Sequence, residues 1–319
     1  MERLSENKII LITRKSRLDD LIHKFNTQNQ AKFYIEHLGG DFKDYQNEHD
    51  QYQKVIIKAV KTLSKLGRVQ QLDRSFLPNY IFSTDDTIVV IGQDGLVANC
   101  IKYLDTHPLI AINPDPDRWD GELLPFRVDD LERVIPKLFS GCCSTKKITL
   151  AKATLNTGEE IYGVNDIFIG PKSHSSLRYS IKINDQQEHQ SSSGIIVSTG
   201  LGSTGWLKSL ILGANSVSKA FQKNSSSDYK TKKRDIDASF PWDANYLYFT
   251  VREPFPSQYS QAEIVFGKIT DEKTLEISSF MPENGVIFSD GIEKDFLNFN
   301  SGSVVTVSIA KKRGCLVVD

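Results

Sequence analysis

Glycine, acidic and hydroxyl side chains crowd into four short stretches of this chain. The first, Ile88-Val89-Val90-Ile91-Gly92-Gln93-Asp94-Gly95-Leu96, is an apolar run that passes straight into a Gly-bracketed acidic turn and then a helical pattern. Glycines in such a turn permit positive φ and close backbone approach, and the N-terminus of the following helix offers N–H groups to an anion. Asp94 beside that anion suits a general base or a metal partner in phosphoryl transfer. The alternative is an Asp-Gly turn whose acid caps the helix.

The second stretch, Ile195-Ile196-Val197-Ser198-Thr199-Gly200-Leu201-Gly202-Ser203-Thr204-Gly205-Trp206, satisfies G-x-G-x-x-G after a strand. A dinucleotide fingerprint also needs a second strand ending in an acid about twenty residues on. That position falls in a helical and then polar region around Phe221–Asp228, so the context fails. A P-loop fails as well, because Trp206-Leu207 follow where Lys and Ser or Thr belong. What remains is a Gly/Ser/Thr turn leading into a helix over Trp206–Leu212, suited to phosphate or ribose through N–H and hydroxyl groups. Tight-turn packing alone is the competing explanation.

The third stretch, Asn113-Pro114-Asp115-Pro116-Asp117-Arg118-Trp119-Asp120-Gly121, follows a strand at Leu109–Ile112, and its prolines preset an extended loop where open α/β sheets bind ligands. Its acids and arginine are functional or simply solvated. The fourth, Val164-Asn165-Asp166-Ile167, sets a hydrogen-bonding pair between apolar neighbours, fit for a base edge or a ribose and equally for a turn. Metal hydrolase and serine hydrolase chemistry find no footing, since none of His23, His37, His49, His107, His174 and His189 sits in H-E-x-x-H and no G-x-S-x-G occurs.

These stretches need elements to hold them. The chain has 319 residues, enough for two domains, and its 39% hydrophobic and 25% charged content is ordinary globular usage. A formal charge of -1 gives no global field toward nucleic acid or an anionic membrane, so neither is expected as a partner. The four cysteines, Cys100, Cys142, Cys143 and Cys315, lack C-x-x-C spacing and read as reduced thiols. The apolar run near the start, Ile9–Ile12, is too short for a signal-peptide core, and a cytoplasmic location is expected.

A strand over 8–15 is followed by helical patterns over Leu18–His37 and Asp44–Leu66, then strands at Arg68–Leu72, Thr87–Ile91 and Leu109–Ile112 with a helix over Leu96–Leu104 between the last two. Strands alternating with helices imply a parallel sheet. Beyond about Ser140 short strands dominate: Lys147–Thr154, Ser180–Ile183, Ile195–Ser198, Tyr246–Thr250, Lys273–Ser278, Gly285–Ser289 and Ser303–Ile309. The boundary is placed near Leu138–Lys146, giving an α/β lobe over 1–142 and a β-rich lobe over 143–319. The Lys/Arg-rich segment Asn224–Asp235 reads as a solvated loop, with an anion-binding flap as the alternative.

In this order the stretches resemble the NAD kinase family. Gly92-Gln93-Asp94-Gly95 is similar to its Gly-Gly-Asp-Gly turn, Asn165-Asp166 to its Asn-Glu pair, Gly202-Ser203-Thr204-Gly205-Trp206 to its Gly-Ser-Thr-Ala-Tyr segment, and Ser289-Asp290-Gly291 to its late Asp-Gly turn. Asn113-Pro114-Asp115-Pro116 and Ser192-Ser193-Gly194 resemble the mitochondrial-type branch. Gln93 stands in place of the family's second Gly, and Ser191 and Ser193 stand where the commoner branch has an Arg and an Asp on the dinucleotide.

The resemblance implies a Rossmann-like α/β N-terminal lobe, a β-sandwich-like C-terminal lobe, and a cleft in which ATP phosphorylates the 2′-hydroxyl of NAD to give NADP. Asp94 would be the base, with Gly92, Gln93 and Gly95 cradling phosphate and a Mg²⁺. Asn165 and Asp166 would hold the adenosine. Asn113, Thr199, Gly202, Ser203, Thr204, Trp206 and Ser209 would complete the nucleotide sites. A homodimer or higher homo-oligomer is the family's usual state. Two rivals remain: the same chemistry on a sugar, nucleoside or lipid hydroxyl, and a non-catalytic sensor of NAD(P)(H).

Overall fold

A computed structural model describes residues 3–223 and 238–319, and the segment Asn224–Asp235 lies outside the described residues. The chain forms two compact units, Met1–Lys146 with Gly314–Asp319, and Lys147–Arg313.

The first unit opens with β1 (Lys8–Thr13), α1 (Arg17–Phe25), α2 (Gln28–His37), α3 (Phe42–Leu66) and β2 (Arg68–Asp73). It continues through β3 (Thr87–Ile91), α4 (Asp94–Tyr103), β4 (Pro108–Ile112) and α5 (Leu131–Phe139). Its strands lie side by side in the order β2-β1-β3-β4, all parallel, and Cys315 and Leu316 extend the sheet beyond β4. One face of the sheet is dry because Ile9, Leu11, Val89, Ile91, Ile110 and Ile112 alternate toward α3 and α5, where Tyr52, Val55, Ala59, Leu63, Leu131 and Val134 meet them. Each large aliphatic chain fully buried in this way contributes about 1.5–3 kcal/mol relative to exposure.

The helical pattern over Leu18–His37 is two helices rather than one. Asn26 takes a left-handed φ of 64° and ends α1, and the Thr27 hydroxyl accepts the Gln30 N–H to start α2. Asn tolerates that conformation and Thr is a good N-cap, so the local chemistry overrides the run of apolar spacing.

The second unit carries β5 (Thr145–Leu155, its first two residues counted with the first unit), β6 (Glu160–Gly163), β7 (Asp166–Pro171), β8 (Leu177–Ile183), β9 (Gln186–Ser192), β10 (Ile195–Ser198) and α6 (Trp206–Lys223). Then come β11 (Leu247–Val251), β12 (Phe266–Ile269), β13 (Leu275–Ser279), β14 (Gly285–Ser289), β15 (Leu297–Asn298) and β16 (Val304–Val317), whose last four residues count with the first unit. Two antiparallel sheets result: β16-β13-β8-β9 with the β5–β6 hairpin paired to β16, and β12-β11-β10-β7-β14-β15. Inward residues of both, among them Ile167, Ile169, Tyr179, Ile181, Val197, Phe249, Ile277 and Val307, share one core, so this unit is a sandwich. The architecture is the α/β lobe followed by a β-rich lobe that the sequence leads one to expect. Among the described residues no helix is long and apolar enough to cross a membrane.

Candidate active site

In the first unit the strand order runs outward from β1 in both directions, to β2 on one side and to β3 and β4 on the other. That reversal defines a crevice beyond the carboxyl ends of β1 and β3, the place where open α/β sheets bind ligands. The turn Gly92–Gly95 lies there, directly after a strand buried at all five positions. Asp94 is the first residue of α4 and Gln93 its N-cap, without a side-chain capping bond. Asp94 therefore does not cap the helix.

The Asp94 carboxylate accepts the backbone N–H of Leu123 at 2.8 Å and of Glu122 at 3.2 Å. A carboxylate has about four lone-pair sites, so acceptor capacity remains. What aims those N–H groups is the third sequence stretch. The Asn113 side chain donates to Trp119 O at 2.9 Å and accepts from Asp115 N at 3.0 Å, and Gly121 turns the chain at a φ of 65° just before Glu122. Asn113 is thus occupied in shaping a loop, which Asp115–Trp119 close into a turn instead of the extended path that the prolines suggest.

Neither Gly92 nor Gly95 has a positive φ, contrary to the expectation from the turn sequence. The helix starts immediately, so both residues take conformations open to any amino acid. Gly95 is exposed and a Cβ there would meet nothing within 4 Å, whereas one at Gly92 would press on Leu96 Cδ2 at 2.7 Å. Gly95 keeps the first turn of α4 bare, which is what a bulky anion at a helix N-terminus needs.

The second unit gathers the remaining stretches. Asp290, at a left-handed φ of 54°, turns its carboxylate onto the N–H groups of Val164 (3.0 Å), Asn165 (2.6 Å) and Asp166 (3.3 Å). Thr199 ties the same turn to β10, its Oγ1 donating to Val164 O at 2.5 Å and lying 3.1 Å from Asn165 O. Thr199 Oγ1 also accepts from Gly202 N at 3.2 Å. A Cβ on Gly202 would stand 2.0 Å from Asn165 O, so only glycine fits. Ser203 donates to Gly200 O at 2.7 Å and accepts from Phe240 N at 3.2 Å. Asn165, Thr199, Gly202 and Ser203 are therefore brought together, and the side chains of Thr199 and Ser203 are spent on the turn itself.

Among the described residues Thr204 and Ser209 make only local bonds, to Leu201 O at 3.5 Å and Gly205 O at 3.2 Å, and both are exposed. Asp166 is only 7% exposed, and no hydrogen bond reaches its carboxylate among the described residues. Burial, aided by the charge of Asp290, pushes its pKa up to about 7. Two residues along the same face of β7, Phe168 stacks on Trp206 with centroids 5.7 Å apart and packs on Phe288 at 4.9 Å. Sequence reasoning picked out Trp206 and missed Phe168, Phe288 and Arg252, which line with it a cavity of about 350 Å³. Ser193 donates to the Glu253 carboxylate beside that cavity.

No family model matches the chain. An NAD kinase of Borrelia garinii subsp. bavariensis is 27% identical over 180 residues, covering 53% of this chain and 58% of that protein. One from Saccharolobus islandicus is 26% identical over 152 residues, covering 47% and 55%. The chain thus spans just over half the length of the curated relatives it matches. The fold extends the likeness. The crystal structure of an NAD kinase from Archaeoglobus fulgidus in complex with ATP superposes with a TM-score of 0.53 at 13% identity, covering 97% of this chain and 93% of that one. Yeast NADH kinase complexed with NADH gives 0.56 at 14% identity, covering 99% and 84%.

An α/β unit followed in sequence by an antiparallel sandwich is the architecture this chain shares with these two structures. The chain shares the fold of these kinases and is similar in sequence to NAD kinases over about half its length.

Proposed function

We propose that this chain transfers the γ-phosphoryl group of ATP to the 2′-hydroxyl of the adenosine ribose of NAD, making NADP. The observation that carries the reading is Asp94: a carboxylate at the first residue of α4, beyond a central buried strand, beside a helix turn left bare by Gly95. In the step, the 2′-hydroxyl oxygen attacks the γ-phosphorus, its proton passes to an Asp94 oxygen, and the bond from phosphorus to the bridging oxygen breaks to release ADP. Little covalent work is asked of the protein, since positioning and charge neutralisation carry phosphoryl transfer.

Mg²⁺ suits this turn. It takes oxygen ligands, keeps several waters and binds through one or two carboxylates plus substrate phosphates. Asp94 has oxygen lone pairs left after meeting Leu123 and Glu122, and would hold the ion together with the phosphates. When bound, the ion supplies charge neutralisation on the transferring group. In the second unit, Asn165 and Asp166 would take the adenosine and Trp206 would wall the base. Gln93, the N-cap of α4 with no side-chain capping bond, would contribute an amide donor to the phosphate turn.

The same reading assigns the chain to the mitochondrial-type branch, as a cytoplasmic homo-oligomer. Incubation with NAD, ATP and Mg²⁺, followed by mass spectrometry and a dehydrogenase that accepts only NADP, tests it: NADP formation supports the reading, and its absence with active ATP and NAD controls contradicts it.

A further inference from the structure

The aromatic cavity of the second unit contains a cation with no ion pair among the described residues. Arg252 follows β11, and its backbone is pinned on both sides: its N–H donates to Gly194 O at 2.8 Å and its carbonyl accepts from Ser193 N at 3.0 Å. From this fixed base the guanidinium reaches back over the aromatic wall, with Cζ 5.4 Å from the Trp206 ring centre and 5.9 Å from that of Phe168. Its Nε is buried and without a hydrogen bond among the described residues. No carboxylate pairs with the side chain among the described residues, and the neighbouring Glu253 is engaged by Ser193 instead. A buried guanidinium donor left unsatisfied costs about 1–3 kcal/mol, so such an arrangement normally answers a ligand.

A second cation faces the same space. Lys172 lies with Nζ 4.7 Å from the Phe296 ring centre and, like Arg252, forms no ion pair among the described residues. Glu293 is the one acid in the wall, so the lining is net positive even with His174 neutral. The cavity, about 350 Å³, has the size of a small-molecule site. Its chemistry is a flat aromatic wall with a fixed planar fork of donors at its rim, which fits an aromatic base joined to a phosphate.

We propose that Arg252, assisted by Lys172, is a specificity-determining anion contact that makes this cavity prefer a phosphorylated nucleotide over the bare nucleoside. The proposal rests on the reading above that Trp206 walls a nucleotide base, and it adds the group that receives the phosphate.

The test compares adenosine with AMP by titration calorimetry on the full chain, using wild type, Arg252→Gln and Arg252→Lys. A charge-assisted pair predicts that wild type binds AMP about tenfold or more tightly than adenosine. Arg252→Gln should bring the two affinities together while leaving adenosine binding unchanged, and Arg252→Lys should restore part of the preference. Because the side chain forms no ion pair among the described residues, and loss of its ring contacts is offset by relief of the unsatisfied Nε, Arg252→Gln should unfold within a few degrees of the wild-type temperature; adenosine binding serves as the internal check that the cavity is intact. An AMP preference that survives Arg252→Gln, or a wild type that shows none, overturns the proposal. The outcome is separable from that of the proposed function: NADP formation without an Arg252-dependent preference removes the anion contact alone, and an Arg252-dependent preference without NADP formation removes the kinase reading alone.

Discussion

Replacing Asp166 by Asn should change how the stability of the second unit depends on pH. The carboxyl group is buried, close to Asp290 and without a hydrogen-bond donor of its own, and its pKa rises from the ordinary 3.8 to about 7. The folded chain therefore holds this proton across a window in which the unfolded chain has lost it. Stability falls with rising pH wherever the folded state binds more protons, so this group costs nothing below pH 4 and its full penalty above pH 7. At about 1.4 kcal/mol per pH unit, the separation of the two values amounts to about 4 kcal/mol. Asn is nearly isosteric, loses no hydrogen bond and carries no charge at any pH.

The wild type should thus lose about 4 kcal/mol relative to Asp166→Asn between pH 4 and pH 7.5. Urea unfolding at closely spaced pH values measures this, followed by tryptophan fluorescence in a Trp119→Phe background so that Trp206 and Trp242 of the second unit report alone. A wild-type-minus-variant difference that stays flat from pH 4 to 7.5, or that rises, refutes the reasoning.

Three further outcomes follow from single contacts. Gly202→Ala places a Cβ 2.0 Å from Asn165 O, against backbone that cannot give, and should destabilise the second unit by about 3 kcal/mol or more in the same urea assay. Asp290→Ala leaves the N–H groups of Val164, Asn165 and Asp166 without their acceptor and should cost about 3 kcal/mol, while lowering the pKa of Asp166 because a like charge is removed. Gly95→Ala meets nothing within 4 Å and should leave the melting temperature unchanged or slightly raised; on the proposed function its ATP KM rises several-fold, read by steady-state kinetics.

How much of this was legible beforehand depends on burial. The strands Thr87–Ile91 and Ile195–Ser198 are buried at every position and read off the sequence as uninterrupted apolar runs. β7 was not legible because its first residue is the acid of an Asn-Asp pair that looks like a turn and its last two are Gly170-Pro171. Helix α5 hid behind Pro136 in its middle and a start without a side-chain cap.

The candidate site divides in the same way. Asp94 and Trp206 were visible from their neighbours in sequence, being set on strand-turn-helix units that local pattern describes. The likeness of Ser289-Asp290-Gly291 to a family turn pointed to Asp290, but not to its three amide donors, since contacts more than a hundred residues apart leave no local trace. Arg252 and Phe168 were invisible for the same reason: a charged residue after a strand and an aromatic within one are ordinary until the fold sets them on Trp206. Local pattern also misassigned one purpose, since Gly95 contributes empty space instead of a positive φ, and it gave no sign of the hydrogen bonds by which Asn113 shapes its loop.

The central claim is that Asp94 takes the ribose proton in ATP-dependent phosphorylation of NAD. Its most direct test is NADP formed in a single turnover with NAD, ATP and Mg²⁺, measured by mass spectrometry for wild type and Asp94→Asn at matched ligand occupancy. The account predicts NADP from the wild type and a rate at least about a hundredfold lower from Asp94→Asn, with the melting temperature within a few degrees of wild type. NADP formation by Asp94→Asn at near the wild-type rate would contradict it.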